Sequence, residues 1–176
     1  MNWIKLIYSL VGVFSLQFIL ADFLSINGIR PDFVLIYILY IGLHHGSFPS
    51  IIVGFFLGLL VDFTGVGSFF GLTSLTYVIT GYLSGFLHSK YYKMIPTYFH
   101  LTWLGIILFH FFIYSFIRHQ DLFESTMTVF WLKWILTSGY TLGFLAIFQM
   151  IILALAGGLV VSVFWDKIKA FVRIPK

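Results

Sequence analysis

Long apolar runs, separated by short polar turns, fill almost the whole chain. A membrane-spanning helix needs about 20 apolar residues to cross roughly 30 Å of hydrocarbon. The pattern predicts six spanning helices, at approximately 3–21, 31–45, 48–63, 68–87, 98–117 and within 135–165. The second and third are short, and a turn signal from Gly46 to Pro49 separates them. We expect two helices there, because Pro49 would break a continuous one.

Segment 124–134, which precedes the sixth predicted span, is rich in aromatic residues. Tryptophan is enriched at the interface between membrane and water. We therefore predict an interfacial turn, with Trp131 and Trp134 at headgroup depth. Lys133 lies between them and is expected to extend its charged end to the outer interface.

The composition excludes most soluble classes. Of the 176 residues, 60% are hydrophobic and 9% are charged, and the mean hydropathy is +1.02. A soluble domain is about 25% charged, and disorder requires low hydrophobicity with high charge. We predict an all-α integral membrane protein with a single polytopic transmembrane domain, 1–176. The absence of cysteine excludes disulfides and thiol chemistry.

The distribution of basic residues predicts the orientation. If the N-terminus is cytoplasmic, seven of the ten Lys and Arg residues lie on the cytoplasmic side: Lys5, Lys90, Lys93, Lys167, Lys169, Arg173 and Lys176. The positive-inside rule favours this arrangement, which places both termini in the cytoplasm. The net charge of +4 then indicates anionic lipid at the basic loops rather than nucleic acid. Cleavage after Ala21 as a signal peptide is disfavoured, because Ile19 is unsuitable two positions earlier.

Two glycines and one acid share a face of the third predicted span. Gly54, Gly58 and Asp62 recur every four residues and so lie on one side of a helix. Small residues at this spacing let a second helix approach closely. Asp62 is either a buried acid that binds a cation, proton, ligand or partner, or an interfacial acid that ends a helix or hydrogen-bonds Thr64, Ser68 or the loop. The sequence leaves both interpretations open.

The fourth predicted span has a polar face. Residues on this face are spaced by three or four positions, at Thr73, Thr76, Thr80, Ser84 and His88. We favour helix packing through these side chains over the lining of a polar cavity. Gly71, Gly81 and Gly85 lie on neighbouring faces and would allow close packing.

Neither the histidines nor the motifs indicate catalysis. Of the six histidines, only His110 lies within a predicted span, and we expect hydrogen-bonded or interfacial histidines rather than zinc ligands. The chain has no Gly-x-Ser-x-Gly or His-Glu-x-x-His motif. Gly65-Val66-Gly67 lacks the lysine that a phosphate-binding loop requires. We predict no cofactor, no metal and no catalytic residue.

Three motifs follow one another between residues 30 and 87. Arg30-Pro31-Asp32-Phe33-Val34 opens the second span, and the Gly54, Gly58 and Asp62 series closes the third. The fourth span runs from Gly71 and ends in Gly81-Tyr82-Leu83-Ser84-Gly85. This succession resembles the family of the rod shape-determining protein MreD. Total length and the single-domain, multi-span layout also agree with that family.

This resemblance implies a non-enzymatic subunit of the bacterial cell-elongation machinery. Such proteins lie in the inner (cytoplasmic) membrane and support rod shape and lateral peptidoglycan synthesis. The implied partners are an MreC-like bitopic protein and, through it, MreB, RodA and a class B penicillin-binding protein. The implied fold is similar to that of the substrate-binding subunits of energy-coupling-factor vitamin transporters. The helix-packing or partner-binding candidates are Pro31, Asp32, Gly54, Gly58, Asp62, Gly71, Gly81 and Gly85.

Two other classes of small membrane protein are also compatible with the sequence. A substrate-binding subunit of a vitamin transporter would need a polar pocket near the outer face, around Asp62 and 118–124. It would also need an Ala-x-x-x-Ala-like docking face on the first helix, where the sequence offers only Ser9, Gly12 and Ser15. A small membrane enzyme acting on lipid would need a clustered acid and base, which the sequence does not clearly contain.

Overall fold

The computed structural model describes residues 3–64, 69–88, 90 and 95–172, with only the backbone described for 3–7, 96, 125 and 151–172. Seven helices and no β-strand occur in these residues. The helices are α1 (Trp3–Phe23), α2 (Phe33–His45), α3 (Ser47–Phe63), α4 (Leu72–His88), α5 (Pro96–Arg118), α6 (Gln120–Ser125) and α7 (Met127–Val172). The all-helical prediction is confirmed, and each predicted span coincides with a helix.

Helices α2, α3 and α4 pack closely against one another. Gly46 alone separates α2 from α3, and its φ of +89° lies in the region that favours glycine. The two helices therefore form a tight hairpin, as the turn signal predicts. The apolar interior of this part includes Val34, Leu35, Ile38 and Leu57, all fully buried.

The glycines of α3 and α4 allow the two helices to touch through their backbones. The four residues concerned are Gly54 and Gly58 on α3 and Gly81 and Gly85 on α4. A Cβ atom added to Gly54 would lie 2.9 Å from the Tyr77 carbonyl oxygen, and one added to Gly81 would lie 2.9 Å from Ser50 backbone atoms. Real Cβ atoms essentially never come within 3.0 Å of such atoms. Both glycine faces are thus occupied within the chain.

Segment 124–134 differs from the predicted interfacial turn. Only Thr126 separates α6 from α7, so nearly all of the segment is helical. The indole rings of Trp131 and Trp134 lie with centroids 6.2 and 6.4 Å from the Phe112 ring on α5. This packing against α5 explains why the segment is helical despite its interfacial composition.

The internal contacts divide the chain into two units, Met1–Thr141 and Leu142–Lys176. The first unit contains α1 to α6 and the beginning of α7. The second contains the rest of α7. All side chains of the site described below belong to the first unit.

Two helical segments of the described residues are long and apolar enough to cross a membrane: Thr97–Arg118 and Met127–Met150. Three others are apolar but shorter: Tyr8–Phe23, Phe33–His45 and Ser47–Phe63. Many large apolar side chains are exposed, among them Tyr8, Ile19, Phe48, Phe63, Phe70 and Tyr98. Such exposure is expected of helices surrounded by lipid. The number of six spans stays a prediction.

Candidate functional site

The start of α2 holds a buried carboxylate that bridges two helices. Pro31 is fully buried, and Asp32 follows it as the N-cap residue of α2. The Asp32 Oδ1 atom accepts a hydrogen bond from the Leu35 backbone N–H at 2.8 Å. The Tyr77 hydroxyl on α4 donates to the same carboxylate at 2.8 Å. Asp32 therefore satisfies an unpaired backbone donor of α2 and ties that helix to α4.

Helices α1 and α7 are attached to the same point. The Phe33 backbone N–H donates to Gln17 Oε1 of α1 at 2.8 Å. The Asp32 backbone N–H donates to Thr141 Oγ1 of α7 at 3.2 Å. Polar groups from four helices thus converge where α2 begins.

His110 of α5 extends this network. It is buried, and its ring stacks on that of Tyr77 with centroids 5.5 Å apart and planes 13° apart. The Thr80 hydroxyl donates to the Thr76 carbonyl at 2.8 Å, so its oxygen accepts from His110 Nδ1 at 2.9 Å. The prediction of a hydrogen-bonded histidine within the bundle is confirmed.

A cavity of about 660 Å³ opens beside these residues. Its polar wall combines the network with charged residues from the ends of α5 and the start of α7, and includes Gln17, Asp32, Thr73, Tyr77, His110, Tyr114, Arg118 and Lys133. Arg30 also lines the cavity, and its Nη1 atom forms a partly exposed ion pair with Asp22 Oδ1 at 2.5 Å. The cavity size is typical of a small-molecule site.

The cationic part of the wall lies at the end of α5. Arg118 donates to the Tyr114 hydroxyl oxygen one turn earlier in the helix. Next to Arg118, burial lowers the pKa of His119, and the positive charges of Lys133 and Arg118 lower it further. His119 therefore favours its neutral form beside these two basic side chains.

Asp62 lies outside this cavity wall and stabilises the start of α4. Its side chain is buried, with 5% exposure. Its Oδ2 atom accepts from the Gly71 backbone N–H at 2.9 Å and from the Ser74 backbone N–H at 3.4 Å. The Thr64 hydroxyl bonds the Val61 carbonyl instead, and Ser68 lies outside the described residues. A carboxylate at this position compensates the positive end of the α4 dipole.

Gly71 supplies the turn that makes this contact possible. Its φ of +90° is in the left-handed region, where residues with a side chain are strained. A Cβ atom there would meet nothing within 4 Å, so backbone conformation rather than packing accounts for this glycine.

The polar face of α4 contributes to both packing and the cavity. Thr73 lines the cavity. Thr76 and Ser84 are buried and donate to carbonyls of α4 itself, at Thr73 and Gly81. At the far end of the helix, His88 bonds the Leu43 carbonyl at 2.7 Å. Thr80 and His88 thus bond other helices, as the packing interpretation expects, whereas Thr76 and Ser84 bond α4 itself and Thr73 lines the cavity.

Several residues of the network were not among the predicted site positions. Tyr77 appears in the sequence only as one aromatic residue of an apolar span, and Gln17 only as one polar residue of another. The sequence signal that could have identified Tyr77 and Gln17 is a polar group within an apolar span. Such a group is costly in hydrocarbon unless it has a hydrogen-bond partner. In the described residues, no group of three or more His, Asp or Glu side chains could hold a metal ion.

Exposed apolar helices surrounding a buried polar network define an α-helical membrane protein. The family model of the rod shape-determining protein MreD matches residues 1–157, and the chain belongs to this family. Its role is therefore in rod shape determination, within the shape-determining system of the cell. No curated protein and no solved structure matched the chain. The comparisons give no support to a vitamin-transporter subunit.

Proposed function

We propose that this protein is a non-catalytic, multi-pass subunit of the bacterial inner membrane that supports rod shape and lateral peptidoglycan synthesis through an MreC-like bitopic protein. The family match over residues 1–157 carries the proposal. Through the bitopic protein it would act with MreB, RodA and a class B penicillin-binding protein.

The packing of the described helices supports a scaffold role. The glycine faces of α3 and α4 pack against each other within the chain. This close packing makes the α3–α4 part of the bundle rigid. Exposed apolar side chains remain on other helices, including Tyr8 on α1 and Tyr98 on α5. A partner helix would meet the protein on such faces, because direct packing of helices drives association in membranes.

The decisive experiment is purification of the tagged protein from its own host in a gentle detergent, followed by mass spectrometry. We expect a bitopic periplasmic coiled-coil protein together with wall-synthesis enzymes. Gly58→Leu, which disrupts the α3–α4 contact on which the scaffold depends, should lose this capture. Recovery of paired ATPases and a second multi-span subunit would contradict the proposal.

Orientation can be tested separately, because the chain contains no cysteine. Single substitutions Asn27→Cys and Gln120→Cys should react with a membrane-impermeant maleimide added to intact spheroplasts. Lys90→Cys should react only after the membrane is permeabilised. Labelling of Lys90→Cys from outside would overturn the proposed topology with both termini in the cytoplasm.

A further inference from the structure

Three buried side chains in the wall of the cavity have polar atoms that the protein leaves unpaired. They are Thr73 at the start of α4, and His110 and Ser115 on α5, each no more than 5% exposed. Other hydroxyls of these helices, such as that of Thr80, bond a carbonyl one turn earlier. Within the described part of the chain, the hydroxyls of Thr73 and Ser115 make no hydrogen bond.

His110 adds an acceptor to the same wall. Its Nδ1 atom donates to Thr80, so Nε2 of the neutral ring carries a lone pair, and no described residue bonds Nε2. Among the described side chains, Asp62 Oδ1 is the enclosed polar atom without a partner, so the free atoms of Thr73, His110 and Ser115 reach open space. The open space that these residues line is the cavity. Such groups are costly in an apolar bundle unless the cavity contains something that bonds them.

The charged residues of the wall need no ligand. The Asp32 carboxylate accepts two hydrogen bonds within the protein, and Arg30 has its ion pair. Arg118 donates to Tyr114. Lys133 is exposed and can keep its ammonium group in water. The groups that remain for a ligand are therefore uncharged, and a neutral polar molecule is their complement.

The positions of these groups require a ligand with several polar atoms. His110 and Ser115 are five residues apart, which is about 7.5 Å along the axis of α5, and Thr73 lies on another helix. A single hydroxyl group cannot reach all three. A molecule with several hydroxyls can, because a hydroxyl donates to a ring nitrogen and both donates to and accepts from another hydroxyl. Phe111 and Tyr77 line the same cavity and supply apolar surface for the carbon atoms of such a molecule.

We propose that this cavity binds a sugar, whose hydroxyl groups pair with Thr73, His110 and Ser115. The cavity volume of about 660 Å³ is within the range of small-molecule sites. The sugar is either a free molecule or the headgroup of a glycolipid, since both present the same hydroxyls. This inference goes beyond the proposed function and does not depend on it.

The test compares matched probes with and without sugar hydroxyls. Full-length protein is purified in a polyoxyethylene detergent, because the headgroup of a maltoside detergent would compete. It is titrated with glucosyl diacylglycerol or with diacylglycerol of the same acyl chains, and binding is followed by native mass spectrometry. In parallel, methyl glucoside or 2-methoxytetrahydropyran, which has the same ring without hydroxyls, is titrated by saturation-transfer NMR. We expect at least one sugar to bind more tightly than its sugar-free match.

The variants remove single hydroxyls from the wall. Thr73→Val and Ser115→Ala should each weaken sugar binding about fivefold, as expected for loss of one neutral hydrogen bond. Thr102→Val is the matched control, because Thr102 also lies on α5 but is exposed, outside the cavity wall, and bonded to the Tyr98 carbonyl. Since the hydroxyls of Thr73 and Ser115 have no partner in the protein, their removal should leave the unfolding temperature within about 2 °C of the wild type.

Each outcome decides the matter. Preference for glucosyl diacylglycerol alone, weakened in either cavity variant, supports the site and identifies a glycolipid headgroup as the source. Binding of methyl glucoside with the same sensitivity supports it and shows that the sugar itself is sufficient. Equal binding of sugar and sugar-free probes would overturn the proposal, as would cavity variants that bind sugar as tightly as Thr102→Val. A marked loss of stability in both cavity variants would also overturn it, since these hydroxyls would then be bonded within the protein.

Discussion

The contact between Tyr77 and Asp32 can be tested by removing one oxygen atom. Tyr77→Phe deletes the hydroxyl that donates to the carboxylate at 2.8 Å, and it leaves the ring stacked on His110. Tyr77 is only 2% exposed, so water cannot easily replace the lost hydroxyl. The variant therefore isolates the hydrogen bond from the packing of the aromatic ring.

The size of the effect follows from the type of bond. A hydrogen bond to a charged group contributes about 1.5–3 kcal/mol in proteins. Bonds between helices in membranes are weaker, at most about 1.7 kcal/mol, because the unfolded reference state also finds partners. We therefore expect a loss of about 1.5 kcal/mol, which for a chain of this length lowers the unfolding temperature by about 3–6 °C.

The assay is thermal unfolding of the purified variants in one detergent. Tyr82→Phe is a matched control, because Tyr82 lies on the same helix but is 56% exposed. We expect Tyr82→Phe to unfold within about 2 °C of the wild type, since surface substitutions change stability by no more than about 0.5 kcal/mol. If Tyr77→Phe is as stable as Tyr82→Phe, the Asp32 carboxylate does not hold α2 to α4 as argued.

Three other predictions concern separate parts of the first unit. Gly58→Ala should destabilise the protein by about 1–3 kcal/mol through overlap with Ser74, whereas Gly105→Ala, on an open surface, should not; equal unfolding temperatures would contradict the α3–α4 contact. Asp62→Ala should abolish complementation of a shape-defective strain and Asp62→Asn should retain more of it, because the amide still accepts from backbone N–H groups; full rod shape with Asp62→Ala at normal protein levels would refute this. Because burial lowers the pKa of His119, the folded state disfavours its protonation, so stability should fall as the pH drops below the ordinary value of 6.5. His119→Gln should show a smaller fall in unfolding temperature over the same pH range, and an identical profile would exclude this residue as a cause.

The helices themselves could be read from the sequence because their determinants are local. Apolar length, Pro31 before α2 and Gly46 between α2 and α3 act within a few residues of the chain. The spacing of Gly54 and Gly58 predicted a close approach without naming its partner, since periodicity gives a helix face and not the helix that covers it. The structure supplies α4 as that partner.

The polar network could not be predicted from the sequence, because its contacts join residues that are distant in the chain. Tyr77 and Asp32 are 45 positions apart, and Thr80 and His110 are 30 apart. Whether such pairs meet depends on the rotation of each helix about its axis, which one sequence does not determine. Asp62 illustrates the intermediate case, since its loop contact was one of two interpretations but its bond to Ser74 of α4 was not foreseen.

The single-residue connection between α2 and α3 has a consequence for biosynthesis. With 13 and 17 residues, the two helices measure about 20 and 26 Å, each less than the roughly 30 Å of hydrocarbon. Neither segment presents a full-length hydrophobic signal to the insertion machinery when it emerges from the ribosome. With Gly46 as the only hinge, the two are expected to leave the translocon together as a helical pair. A chain truncated after α2 should accordingly fail to retain that helix in the bilayer, even though every residue of the helix is intact.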